Sequence, residues 1–281
     1  MSNPFSLEGK VALVTGGNGG IGKAIALGLK EAGAVVVAAG RSQEKNRAMA
    51  DELGEGHAVL ELDIRDEAAV DAAVAGLVET QGHLDIVVNN AGIARRGTVL
   101  ESPTANWTDL LDTHLNGAFY CARAAARHMS ESGRGGKIIN IGSMYSFFGP
   151  PNAAGYATAK TGMVGLTRAL AVEWAEYNIQ VNAICPGWHT TDLNRPLLAV
   201  IGEDIALKTP ARRLGTTHDL AGAAVFLAAP ASDFVTGQCL TVDGGYSVQD
   251  RRWDEGQGWQ RVLKYFATCQ KPSAPPLLIH S

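Results

Sequence analysis

Short runs of valine, isoleucine and alanine alternate with longer stretches of helical period along most of the chain, and this alternation constrains the fold more than any other feature. The apolar runs are Val11–Thr15, Ala34–Gly40, His57–Asp63, Leu84–Val88, Lys137–Gly142, Ile179–Cys185 and Gln238–Val242. Helical patterns lie between them at Gly20–Ala32, Arg41–Leu53, Glu67–Thr80, Thr104–Ser130, Tyr156–Tyr177 and Thr217–Leu227. The runs are continuously apolar rather than alternating, as strands buried on both faces are. The expectation is an α/β class chain, a single doubly wound domain over residues 1–249 with a seven-stranded parallel sheet and helices on both faces. Ligands of such sheets bind beyond the carboxyl ends of the strands, where the winding reverses, so functional residues should follow strands directly. Proline and glycine interrupt the pattern at Gly149–Asn152 and along Pro186–Pro210, and the second stretch has the length and position of a lid. Residues 250–281 hold Trp253, Trp259 and Lys271-Pro-Ser-Ala-Pro-Pro276 without periodicity, and form a C-terminal extension with no assigned role.

A chain of 281 residues can build one large core without disulfide or metal staples. Its 33 glycines follow no three-residue period, and 46% hydrophobic content is too high for a disordered chain. The net charge of −4 offers no field for a polyanion, so nucleic acid is not expected as a partner. No apolar run approaches the roughly 20 residues that span a bilayer. Met1–Lys10 carries no leader pattern, and the reading is cytoplasmic. Cys121, Cys185, Cys239 and Cys269 are widely separated, with no metal-ligand spacing, and read as reduced thiols.

The first apolar run leads straight into Thr15-Gly-Gly-Asn-Gly-Gly-Ile-Gly22 and then a helix. Glycine permits positive φ and close backbone approach, and the amides at a helix start attract phosphate, so this turn suits the pyrophosphate of a dinucleotide. The pattern is TGxxxGxG rather than GxGxxG. With it come, in order, Asp63, Asn89-Asn-Ala-Gly92, Asn116, Ser143, Tyr156-Ala-Thr-Ala-Lys160 and Pro186-Gly187. From Leu7 to Val248 the chain resembles the short-chain dehydrogenase/reductase family. The resemblance implies a Rossmann-type fold and a nicotinamide cofactor held by Thr15, Gly16, Asn18, Gly20, Ile21 and Gly22. It further implies that Asp63 and Ile64 lie beside the adenine, that Asn90, Ala91 and Gly92 line the cleft, and that Pro186, Gly187 and Thr191 close on the cofactor.

Tyr156 and Lys160 are four apart, a rise of about 6 Å that sets them on one helix face. A neighbouring ammonium favours the phenolate, which would bring a phenol of ordinary pKa near 10 towards use as a general acid/base. Ser143, one residue after the fifth run, can hydrogen-bond the oxygen that gains charge when a carbonyl carbon accepts hydride. The resemblance adds Asn116 as holder of a water that connects the lysine to solvent, which completes a catalytic set of Asn116, Ser143, Tyr156 and Lys160. A non-catalytic dinucleotide-binding protein is the alternative, and the presence of both tyrosine and lysine argues against it.

The second run ends in Gly40-Arg41, where an acidic residue would bond the ribose of NAD and an arginine accommodates the 2′-phosphate of NADP. NADP(H) is favoured and NAD(H) stays open, because Gly19 stands where many NADP-dependent relatives carry a second basic residue. Arg95 and Arg96 present guanidinium forks suited to a carboxylate, or else a solvated loop. With Ser143, Tyr145, Trp188 and His189 they make the candidate substrate wall. The segments Gly92-Ile-Ala-Arg-Arg96 and Ser143-Met-Tyr-Ser146 are most similar to the gluconate 5-dehydrogenase and 2-deoxygluconate 3-dehydrogenase branch, which implies a sugar acid. A 3-oxoacyl-type carbonyl reductase is the alternative substrate class. Met163, Leu166, Leu170, Trp174 and Tyr177 recur at helical spacing and read as core. The resemblance implies that this helix and the one over 104–130 form subunit contacts in a homodimer or homotetramer.

Overall fold

Continuous apolar strands need cover on both faces, and the computed structural model, which describes residues 3–249, supplies it. The C-terminal extension at 250–281 lies outside the described residues. Of the two units into which the chain divides, the one ending at Ser247 is described below. Its strands are β1 (Val11–Thr15), β2 (Val35–Gly40), β3 (Ala58–Glu61), β4 (Ile86–Asn89), β5 (Gly136–Ile141), β6 (Ile179–Pro186), β7 (His189–Thr190), β8 (Gly215–Thr216) and β9 (Cys239–Val242). Its helices are α1 (Gly20–Glu31), α2 (Gln43–Leu53), α3 (Glu67–Gln81), α4 (Thr104–Leu111), α5 (Gly117–Ser132), α6 (Ala154–Glu173), α7 (Arg195–Lys208) and α8 (Ala221–Ala228). Seven strands form one sheet in the order β3-β2-β1-β4-β5-β6-β9, and every pairing is parallel. The chain winds outward from β1 to β3 and then crosses to β4, so the winding reverses between β1 and β4. That is the switch point at which doubly wound sheets bind ligands.

Alternate residues of the central strands feed two separate cores. Leu13, Val37, Val87, Ile138 and Val181 pack with Val74, Leu77, Ala125 and Leu170 on one face. Val14, Val36, Val88, Ile139 and Ile184 pack with Ile25, Leu29, Met49 and Leu227 on the other. Both strand faces are therefore apolar, which is why the strands read as unbroken runs.

Several boundaries differ from the sequence reading. The second helix starts at Gln43 rather than Arg41, because the Ser42 side chain caps it by accepting from the Lys45 amide. The long helix expected over 104–130 is interrupted by a π-helical turn at Asp112–Asn116, with Thr113 and His114 buried in it. The Pro186–Pro210 connection holds the strand β7 and the 14-residue helix α7, with Pro196 in its first turn. Proline there loses no intrahelical bond, so it opens a helix instead of breaking one. Met163, Leu170 and Trp174 are core residues as expected, but Tyr177 sits in a 3₁₀ turn beyond α6 and is 44% exposed. Among the described residues, no helix is long and apolar enough to cross a membrane.

At the amino edge of the sheet, buried Asp85 accepts the Val11 amide at 2.9 Å. The same carboxylate lies 3.4 Å from Lys10, 3.1 Å from His83 and 3.3 Å from Arg134. Asp85→Ala would strand the Val11 amide and unpair these groups. The expected loss is about 3 kcal/mol in urea denaturation; a midpoint equal to wild type would contradict the assignment.

Candidate active site

The turn after β1 is shaped by glycine where a side chain cannot fit. Gly16 has φ +62°, and a Cβ on Gly22 would stand 2.2 Å from the Gly16 carbonyl oxygen, a backbone atom that cannot yield. Helix α1 begins at Gly20 without a side-chain cap and without an acidic residue in its first turn. Helices α2 and α3, by contrast, are capped by Ser42 and Asp66. The amide end of α1 is thus left for an anion, as a pyrophosphate requires. The turn is tied to the exit of β4: the Thr15 hydroxyl donates to the Val88 carbonyl at 3.2 Å and accepts from the amides of Asn90 and Ala91 at 3.0 and 3.1 Å. The Asn90 amide group donates back to the carbonyls of Thr15 and Gly16 at 3.0 and 3.2 Å.

Two cavities open from this junction and share Gly16, Asn18, Lys45, Ala91 and Gly92 in their walls. The smaller, about 250 Å³, is bounded by Gly40, Arg41, Ser42, Asp63 and Ile64. Asn18 donates to Asn46 at 2.6 Å, and its side chain fills the space of a Cβ on Gly40, which would stand 2.2 Å from it. Asn18 would have to move before position 40 could carry any side chain. Arg41 lies 3.8 Å from Asp63, whose carboxyl is held below the usual range chiefly by hydrogen bonds from Arg65. Lys45 supplies a second cation that the sequence reading missed: its Cδ is 4.0 Å from where a Gly19 Cβ would stand. It lies in the first turn of α2, four residues beyond Arg41, and only the fold brings it under the glycine turn. The shape, the uncapped helix and the paired cations fit a dinucleotide that carries an extra phosphate.

The larger cavity, about 760 Å³, runs from the glycine turn to the end of β5. Ser143, Tyr156 and Lys160 meet there. Ser143 follows β5 and caps a 3₁₀ turn at Met144–Ser146, accepting the Tyr145 amide at 3.1 Å. Tyr156 and Lys160 lie in the first two turns of α6, with the Lys160 ammonium 5.7 Å from the Tyr156 ring centre. Lys160 donates to the Ile141 carbonyl at 2.5 Å, and burial lowers its pKa to about 8. For Tyr156 the balance runs against the sequence expectation. Burial raises the phenol above its ordinary value and outweighs the hydrogen bond from Ser143 and the Arg96 charge, both of which pull it down. Tyr156 is accordingly a protonated phenol at neutral pH.

Asn116 stands apart from this group. It closes the π turn, its side chain donates to Asp112 at 2.8 Å, and it does not line the cleft. From the same turn His114 does, with its ring edge-on to Tyr156 at 5.2 Å and 89°. No motif marks His114 in the sequence, because a buried histidine in an apolar helix face looks like any core position.

The substrate candidates gather on the outer wall. Arg95 and Arg96 are both exposed in it, and Arg95 lies 3.7 Å from Asp109. Arg96 has no ion-pair partner among the described residues, and its charge acts on both Tyr145 and Tyr156. Tyr145 meets Tyr156, Trp188 and Phe148 edge-to-face, at 6.4, 6.2 and 5.5 Å between ring centres. His189 is buried, hydrogen-bonded to Gly187 at 3.3 Å and pressed against Gly215, and it lines the cleft beside Trp188. Thr191 approaches Gly20 across the cleft, with 3.7 Å from its Cγ2 to a Cβ built on the glycine. Pro186 and Gly187 end β6 on the same side, and Ile21 joins them in the cleft wall.

A family model described as Enoyl-(Acyl carrier protein) reductase matches residues 16–247. The chain is 42% identical over 245 residues to 2-dehydro-3-deoxy-D-gluconate 5-dehydrogenase of Escherichia coli (strain K12), covering 86% of this chain and 97% of that protein. It is 41% identical over 255 residues to gluconate 5-dehydrogenase of Gluconobacter oxydans (strain 621H), covering 88% and 99%. A crystal structure of a gluconate 5-dehydrogenase from Burkholderia cenocepacia J2315, in complex with NADP and tartrate, superposes with a TM-score of 0.82 at 42% identity, covering 88% of this chain and 98% of that one. The chain belongs to the short-chain dehydrogenase/reductase family. It is an oxidoreductase that interconverts a secondary alcohol and a ketone.

Proposed function

We propose that the protein is an NADP(H)-dependent dehydrogenase of a sugar acid of the gluconate type, with Tyr156 as general acid/base. The observation that carries this reading is the meeting of Ser143, Tyr156 and Lys160 in one cleft whose opposite wall is the glycine turn. NADP(H), when bound, supplies or takes up the hydride. The amides at the start of α1 hold its pyrophosphate, and Arg41 with Lys45 hold the 2′-phosphate, while NAD(H) lacks the group these cations recognise. In the reducing direction Tyr156 gives its proton to the substrate oxygen, and burial keeps that proton in place until it is needed. Ser143 steadies the same oxygen with a hydrogen bond. The Lys160 ammonium then faces the phenolate left behind; as pH rises through about 8 it loses that charge and the support it gives. Arg96 receives the acid's carboxylate, and the aromatic faces of Tyr145 and Trp188 bound the carbon skeleton. The relatives named as gluconate and dehydrodeoxygluconate dehydrogenases, and the NADP and tartrate held by one of them, support the choice of cofactor and acid. The free thiols Cys121, Cys185 and Cys239 support a cytoplasmic setting. Exposed Trp107, Val172 and Tyr177, on the two helical stretches expected at subunit contacts, support a homodimer or homotetramer.

Purified protein should change nicotinamide absorbance with gluconate-type acids and NADP; turnover confined to 3-oxoacyl thioesters would overturn the substrate class. In the same assay Tyr156→Phe should lower kcat by about 10²–10⁴-fold with NADP binding retained, and an unaffected rate would overturn the mechanism. Lys45→Ala and Arg41→Ala should each weaken NADP binding about tenfold or more and leave NAD binding unchanged; equal losses for both nucleotides would refute the 2′-phosphate assignment.

A further inference from the structure

His114 is the least explained group in the cleft. Only 4% of the residue is exposed. Its Nε2 lies 2.8 Å from the Ile93 carbonyl oxygen and 3.2 Å from the Ile93 amide nitrogen. The carbonyl contact is the shorter of the two, so the neutral ring carries its proton on Nε2, donates it to that carbonyl and accepts nothing from the amide. Nδ1 is then a buried lone pair, and it has no hydrogen-bond partner. Burial and the Lys160 charge lower the pKa of this ring to about 3, so no second cation competes with Lys160 or Arg96 here.

A position serving packing alone would be better apolar, since an unpartnered buried acceptor costs about 1–3 kcal/mol. The surroundings also make way for the ring: a Cβ on Gly92 would stand 2.4 Å from its Cε1, so residue 92 must be glycine while the imidazole is there. The π turn is what brings His114 to the cleft, between α4 and α5. Three things meet at the one ring: the edge against Tyr156, the bond to Ile93, and the start of the segment that carries Arg96.

We propose that His114 is a positioning residue, holding the Tyr156 ring by its edge and, through Nε2, fixing the Ile93–Arg96 segment so that Arg96 faces the substrate's carboxylate. The proposal rests on the roles given above to Tyr156 and Arg96. It separates two effects that one substitution would otherwise merge. His114→Phe keeps an aromatic edge beside Tyr156 and removes the Nε2 bond. His114→Ala removes both.

The test is steady-state kinetics with NADP and the best gluconate-type acid, on His114→Phe, His114→Ala, Arg96→Ala and the double variant His114→Phe with Arg96→Ala, with Tyr156→Phe alongside. His114→Phe should raise KM for the acid at least fivefold and lower kcat less than threefold. His114→Ala should also lower kcat at least tenfold. Both should bind NADP within twofold of wild type, because the Thr15–Asn90 contacts are untouched. In the Arg96→Ala background, His114→Phe should add nothing to KM, the non-additivity expected of groups that act through one another. Additive KM effects, or losses that follow melting temperature and NADP affinity alike, would overturn the proposal and leave a structural histidine. An active Tyr156→Phe would instead overturn the reading on which it rests, and so the two failures are distinct.

Discussion

The hydroxyl of Thr15 joins two parts of the chain separated by more than seventy residues, and the cleft depends on that junction. It sits at the end of β1, 1% exposed, and serves as donor to the exit of β4 and acceptor for the next two amides. Asn90 returns two hydrogen bonds to the turn. A parallel sheet leaves its carboxyl-end loops unpaired at the switch point, and backbone groups there must find partners or water. Here they find one another. The glycine turn is held open towards the helix start, and the Gly92–Arg96 segment is led away towards Tyr156.

Electrostatics in the cleft follow from how deeply the fold places each group. Tyr156 rises and Lys160 falls for the same reason, loss of water around a charge-bearing form. The pair is thereby set with a firmly held phenolic proton beside an ammonium that titrates nearer neutrality than an ordinary lysine, at about 8. On the far side Asp63 binds Arg65 more tightly than Arg41, whose distance to Asp63 is 3.8 Å, against 2.6 Å for Arg65. Arg41 is therefore only loosely paired in the wall of the smaller cavity, where Lys45 joins it.

What the sequence made legible was what depends on local pattern. Unbroken apolar runs marked all seven sheet strands, since burial on both faces removes polar alternation. The glycine turn, Ser143, Tyr156 and Lys160 were readable because each keeps its place relative to a strand end or a helix turn. Other features depend on tertiary packing and left no such trace. The Pro186–Pro210 stretch read as an interruption and holds α7, opened by Pro196, because a first-turn proline and a loop proline are alike in sequence. The π turn brings His114 to the cleft, a placement that no periodicity announces. Lys45 acquired its position only when α2 folded against the glycine turn, and Tyr177 left the apolar stripe because α6 ends before it.

The junction at Thr15 can be tested with a substitution that keeps its shape. Thr15→Val removes the shared hydroxyl and leaves the strand its branched side chain. Titration of the purified variant with NADPH, read by nicotinamide fluorescence, should show affinity weakened about tenfold or more, since the Asn90 and Ala91 amides lose their acceptor, with the circular dichroism spectrum of the wild-type fold retained. An NADPH affinity equal to wild type would contradict the account, because the turn would then hold its shape without the contact on which the cleft is argued to depend.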